Sequence, residues 1–70
     1  MVAQVEKGYA AARFEDEEEA LALKERTKPL LIRSLRTDGY HFNIQFDGPR
    51  RFEDEDGNSW WGLAAYGERE

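Results

Sequence analysis

The chain contains no cysteine, so disulfides, thiolate-bound zinc, iron–sulfur clusters and thiol nucleophiles are all excluded. Long apolar runs are missing too. The longest, Trp60 to Tyr66, is interrupted by Gly62 and falls well short of the roughly 20 residues that cross a bilayer. The first six residues have neither a basic stretch nor an apolar one, so no secretory signal is expected and a cytoplasmic, membrane-free protein is. The glycines at 8, 39, 48, 57, 62 and 67 stand singly, which leaves no glycine-rich loop to cradle phosphate. Neither Asn43 nor Asn58 begins a glycosylation sequon. Histidine is limited to His41, and no serine, threonine or tyrosine near it forms a recognisable motif with it. Asp54, Asp56 and Gly57 match the middle of a calcium loop. Phe52 and Leu63 then fall at its first and last ligand positions, and neither can ligate. No catalytic residue, metal ligand or cofactor is expected, and the chain does not read as an enzyme.

Seventy residues of 8.2 kDa make one small domain spanning 1–70. A chain of this size buries only about 60% of the surface its unfolded form exposes. Its core is therefore thin. The net charge of −5 conceals a segregated pattern. Glu15-Asp16-Glu17-Glu18-Glu19 holds five acids and Glu53-Asp54-Glu55-Asp56 four, flanking a middle rich in lysine and arginine. Such a field steers charged partners. Acids opening a helix also favour its macrodipole, and acids at a hairpin keep an edge strand soluble.

Tyr9 to Phe14 reads as a strand leading into a helix over residues 16–27. Asp16 is placed to cap that helix, with Glu19 three residues on, and Pro29 to end it. Leu30–Thr37 and Tyr40–Phe46 flank Asp38-Gly39, a preferred pair for a tight hairpin turn, and are expected as paired strands. Asp47-Gly48-Pro49-Arg50 is a turn, and a second hairpin runs from Arg51 through Asp56-Gly57-Asn58 to Tyr66. Residues 67–70 are expected to fray, while Val2–Lys7 can add an edge strand. The expected fold class is α+β: an antiparallel meander of three to four strands with one helix packed on one face, in the order β-α-β-β-β. Its core would draw on Phe14, Leu21, Leu23, Leu31, Leu35, Phe42, Ile44, Phe46, Phe52, Trp61 and Leu63.

Alternation then sends His41, Asn43 and Gln45 to the uncovered face of the sheet, with Arg36. If Phe52 turns inward, Trp61, Leu63 and Ala65 follow it, and Trp60, Ala64 and Tyr66 join Arg51 outside. Trp, Tyr and Arg together have the composition of an interface hot spot. The expected function is a small non-catalytic protein-binding module, acting as a regulator, inhibitor or adaptor. Its expected partner-binding residues are Trp60, Tyr66, Arg51, Arg36 and His41 on the sheet, with Glu17, Glu18 and Glu19 reaching for a basic surface. The alternative is a nucleic-acid-binding module on the same face, which the acidic balance disfavours. Homodimerisation through a sheet face or edge is compatible with either.

Overall fold

The computed structural model describes residues 5–70 as four elements, β1 (Glu6–Phe14), α1 (Glu17–Thr37), β2 (Phe42–Glu53) and β3 (Ser59–Arg69). The three strands form one antiparallel sheet in the order β1-β3-β2. The middle strand is thus the last to appear in the chain. α1 crosses over it to join the two edges and packs against all three strands. The α+β class, with one helix covering one face of a three-stranded antiparallel sheet, is the architecture that the residue pattern implies.

The element order is β-α-β-β, because the segment read as the first strand of the Asp38-Gly39 hairpin, Leu30–Thr37, is the second half of α1. Asp16 caps the helix as expected, its carboxylate accepting from the Glu19 N–H at 2.8 Å. Glu17, Glu18 and Glu19 fill the first turn, where the helix dipole favours negative charge. Pro29 does not end it. Ala20, Thr27, Leu31 and Leu35 are buried along one stripe of α1, so tertiary packing holds the helix through the break. Pro29 itself is exposed, as is Glu25, whose carbonyl loses its helical donor.

Asp38-Gly39 proves to be a helix terminus. The Tyr40 N–H donates to the Leu35 carbonyl at 2.9 Å, and the Gly39 N–H to the Arg36 carbonyl at 3.0 Å. That pairing is a Schellman motif, and it requires the left-handed backbone of Gly39, whose φ is 90°. A glycine with positive φ serves a hairpin turn and a helix stop equally well.

The core lies between α1 and the covered face of the sheet. Phe14, Ala20, Leu31, Leu35, Leu63 and Ala65 are buried, with Ala10, Ala12, Leu23, Tyr40, Ile44, Phe46 and Trp61 packed around them. Three residues expected in this core lie outside it. Leu21 is on the solvent side of α1 at 59% exposure, and Phe42 is 54% exposed. Phe52 belongs to the opposite face of the sheet, paired with Trp60. The register of β1 on β3 is unbroken from Glu6–Arg69 to Phe14–Trp61, so Gly67, Glu68 and Arg69, expected to fray, are paired. Arg69 also donates to the Glu6 carboxylate at 2.7 Å. Glu6 and Lys7 open β1; the rest of the expected Val2–Lys7 strand lies at or before its start, with Val2–Gln4 outside the described residues. Among the described residues no helix is long and apolar enough to cross a membrane.

Candidate functional site

The uncovered face of the sheet is set by strand parity and by two bulges in β2. On β3 it takes the even residues Trp60, Gly62, Ala64, Tyr66 and Glu68, and on β1 their partners Arg13, Ala11, Tyr9 and Lys7. In β2, Asn43 and Ile44 together stand opposite Gly67, and Gly48 and Pro49 together stand opposite Leu63. Each bulge adds one residue and inverts the alternation beyond it. The second bulge sends Phe52 to the uncovered face, paired with Trp60, and sends Arg51 to the helix side, paired with Trp61. Both assignments reverse the simple alternation. Arg50 takes the position expected for Arg51.

These residues form a stack across the sheet. The rings of Trp60 and Phe52 lie 6.1 Å apart and nearly parallel at 16°. The Arg13 guanidinium sits 4.2 Å from the centre of the Trp60 ring, and that of Arg50 sits 4.0 Å from the centre of Phe52. Two cations therefore bracket an indole and a phenyl ring. Gly62 makes this possible: a Cβ there would come within 3.1 Å of the Phe52 ring and 3.0 Å of the Ala12 carbonyl. Tyr9 and Tyr66 make a second aromatic pair, their centroids 5.4 Å apart.

Arg50 is gripped from behind by Asp47 through two bonds, Nε to Oδ1 at 2.8 Å and Nη2 to Oδ2 at 2.7 Å. A bidentate pair of this kind fixes the guanidinium in orientation as well as position. Those bonds hold the Asp47 carboxyl below its ordinary value of 3.8, against the opposing effect of desolvation. They also raise Arg50 above the ordinary guanidinium range.

The expected site residues divide. Trp60 and Tyr66 lie on the uncovered face, half-buried and 41% exposed respectively. Arg51 bonds the Ser59 hydroxyl on the helix side at 2.9 and 2.7 Å. Arg36 is in the last turn of α1, beside a groove floored by Pro29, Ile32 and Phe46. His41 is exposed in the α1–β2 connection, its N–H on the Glu68 carbonyl. Arg51, Arg36 and His41 therefore do not join Trp60 in one surface. Arg13, Arg50, Phe52, Tyr9 and Asp47 do, and simple alternation passed over them. A Gly-Pro pair inside a strand is the signal that could have found Arg50 and Phe52, because it marks a bulge.

Glu17, Glu18 and Glu19 have a different neighbour from any expected. β1 ends at Phe14 and β2 at Glu53, and both ends pair beside the start of β3. The two acidic blocks, nine carboxylates in all, thus project from the same end of the sheet, next to Trp60. Two of them are structural: Asp16 caps α1, and Asp54 holds a loop. Asp54 accepts from the N–H groups of Asp56 and Asn58 at 3.0 and 2.9 Å and shapes the β2–β3 loop. Among the described residues no three acidic or histidine side chains converge as a metal cage requires. No known family model, curated protein or solved structure matches this chain.

Proposed function

We propose that this chain is a non-catalytic protein-binding module of the cytoplasm, a regulator, inhibitor or adaptor. It docks its partner on the uncovered sheet face, and its acidic end meets basic side chains on the same partner. The observation that carries this reading is the Arg13–Trp60–Phe52–Arg50 stack beside nine carboxylates. Tryptophan, tyrosine and arginine dominate the energetics of protein interfaces, and rigid aromatic groups lose little entropy on binding. Opposite charge around such a centre accelerates encounter and fixes orientation.

The same stack argues against single-stranded nucleic acid. Base recognition on an open sheet needs exposed ring faces. Here Trp60 lies between Arg13 and Phe52, and Phe52 between Trp60 and Arg50. Asp47 already neutralises Arg50, and the adjacent carboxylates repel phosphate.

The test is affinity capture on the tagged protein with and without nuclease, followed by reconstitution with the purified partner. Trp60→Ala and Arg13→Ala should each weaken the reconstituted complex at least tenfold while the circular dichroism stays unchanged. Capture that disappears with nuclease, or oligonucleotide binding at low salt that Arg13→Ala weakens, would overturn the proposal in favour of nucleic acid.

A further inference from the structure

The two edges of the sheet are unlike. β2 is broken twice by bulges, at Asn43 and at Gly48-Pro49, and Pro49 has no N–H to offer a neighbouring strand. β1 runs nine residues in unbroken register, without proline, through three consecutive alanines. Among the described residues no strand pairs with its outer edge. Natural sheets usually blunt an edge of this length, or use it.

We infer that β1 is the seam of a two-fold homodimer, in which two copies join edge to edge into one six-stranded sheet. Antiparallel pairing that keeps the uncovered faces together must set odd residues opposite odd ones, which restricts the axis to passing beside a single residue. An axis at Ala10 sets Lys7 opposite Arg13 of the second copy, two like charges. At Ala12 only five residues of each strand pair, and at Tyr9 no charges meet. At Ala11, residues 8–14 of both copies pair, Tyr9 stands opposite Arg13 across the seam, and Lys7 stands opposite Glu15 beyond it. Cross-strand pairs of these kinds are stabilising, and like charges are not.

This axis also sends the two acidic ends to opposite extremes of the assembly, where they do not repel. It consumes the open edge of each copy and leaves only the blunted β2 edges, so assembly stops at two. Both helices lie on one side. The two aromatic stacks lie on the other, one towards each end of the assembly.

Ala11 is exposed and lies on the axis, so a side chain introduced there meets its own copy. The test is sedimentation equilibrium from micromolar to millimolar concentration. The wild-type chain should approach twice its 8.2 kDa mass. Ala11→Lys and Ala11→Glu should each self-associate at least tenfold more weakly, with unchanged circular dichroism. An equimolar mixture of the two should recover the dimer through opposite charges, a recovery that a misfolded variant cannot give. A wild-type chain that stays at monomer mass throughout, or single variants that remain as dimeric as the wild type, would overturn the inference. Neither result depends on whether the aromatic face binds another protein.

Discussion

Tyr40 closes the covered face over the facing glycines of β1 and β3, Gly8 and Gly67. A Cβ at Gly8 would overlap the Tyr40 ring, and one at Gly67 would come within 3.2 Å of the Tyr40 Cβ. Arg69 then covers the ring from outside at 4.7 Å. Gly8→Ala should therefore displace Tyr40 and destabilise the fold by about 1–3 kcal/mol, the range for overpacking. In a double-mutant cycle read by urea unfolding, most of that loss should vanish on a Tyr40→Ala background. Asp47 makes a second residue-scale test. Its folded carboxyl titrates below the value of 3.8 because of Arg50, so its contribution is present above the unfolded value and is lost as pH falls through the folded one. The Asp47 midpoint followed by NMR should lie below 3.8 in the wild type and rise towards it in Arg50→Gln, the largest cause of the shift having been removed. The Arg50–Asp47 pair lies at the surface, so the change should appear in titration far more than in stability.

At the scale of elements, α1 holds one unfavourable residue and one favourable cap. Pro29→Ala restores the donor that the Glu25 carbonyl lacks and removes a steric conflict, and should stabilise the protein by about 1–3 kcal/mol in urea unfolding. Asp16→Ala removes the bond to the Glu19 N–H and should cost about 1 kcal/mol by the same measurement. The cap was legible in the sequence because capping is local chemistry. The inward set on β3, Trp61, Leu63 and Ala65, is tied in the sequence to an inward Phe52; the set holds because no bulge interrupts that strand, although Phe52 itself turns outward. The length of α1 was not legible. Leu30-Leu31-Ile32 is a short apolar run that suits helix or strand, and the spacing of Thr27, Leu31 and Leu35 becomes decisive only once the sheet beneath them exists. Three of the four members of the aromatic stack were hidden for a similar reason. Trp60 and Tyr66 follow from alternation within one strand, whereas Phe52 and Arg50 require the bulge count of β2 and Arg13 requires a partner 47 positions away.

For the whole molecule, the governing fact is that charge is separated along the sheet. The acidic end carries both blocks, while Lys24, Arg26, Lys28, Arg33 and Arg36 line α1. Association with a basic partner should therefore be fast at low ionic strength, and its on-rate should fall several-fold between about 20 and 200 mM salt while dissociation changes little. Glu17, Glu18 and Glu19 have two roles that can be separated. Replacing all three with lysine removes favourable charge from the helix start and should cost about 1–3 kcal/mol, whereas glutamine should lower the on-rate with a smaller loss of stability. Stopped-flow binding and urea unfolding on the two triple variants distinguish these effects.

The strand order has one more consequence, which concerns how the chain comes to be folded at all. Ser59–Arg69 sits between two partners that are both synthesised before it. While the ribosome is still adding those residues, the two outer strands have nothing to hold them together, and Leu63, Ala64 and Ala65, fully buried in the finished protein, have not yet emerged. The β2–β3 hairpin closes locally from Glu53–Ser59, but every β1–β3 pair, from Phe14–Trp61 to Glu6–Arg69, joins distant parts of the chain, which favours late docking of β1. Translation must therefore deliver the keystone last, and until it leaves the exit tunnel the nascent polypeptide has a helix but no sheet for that helix to rest on.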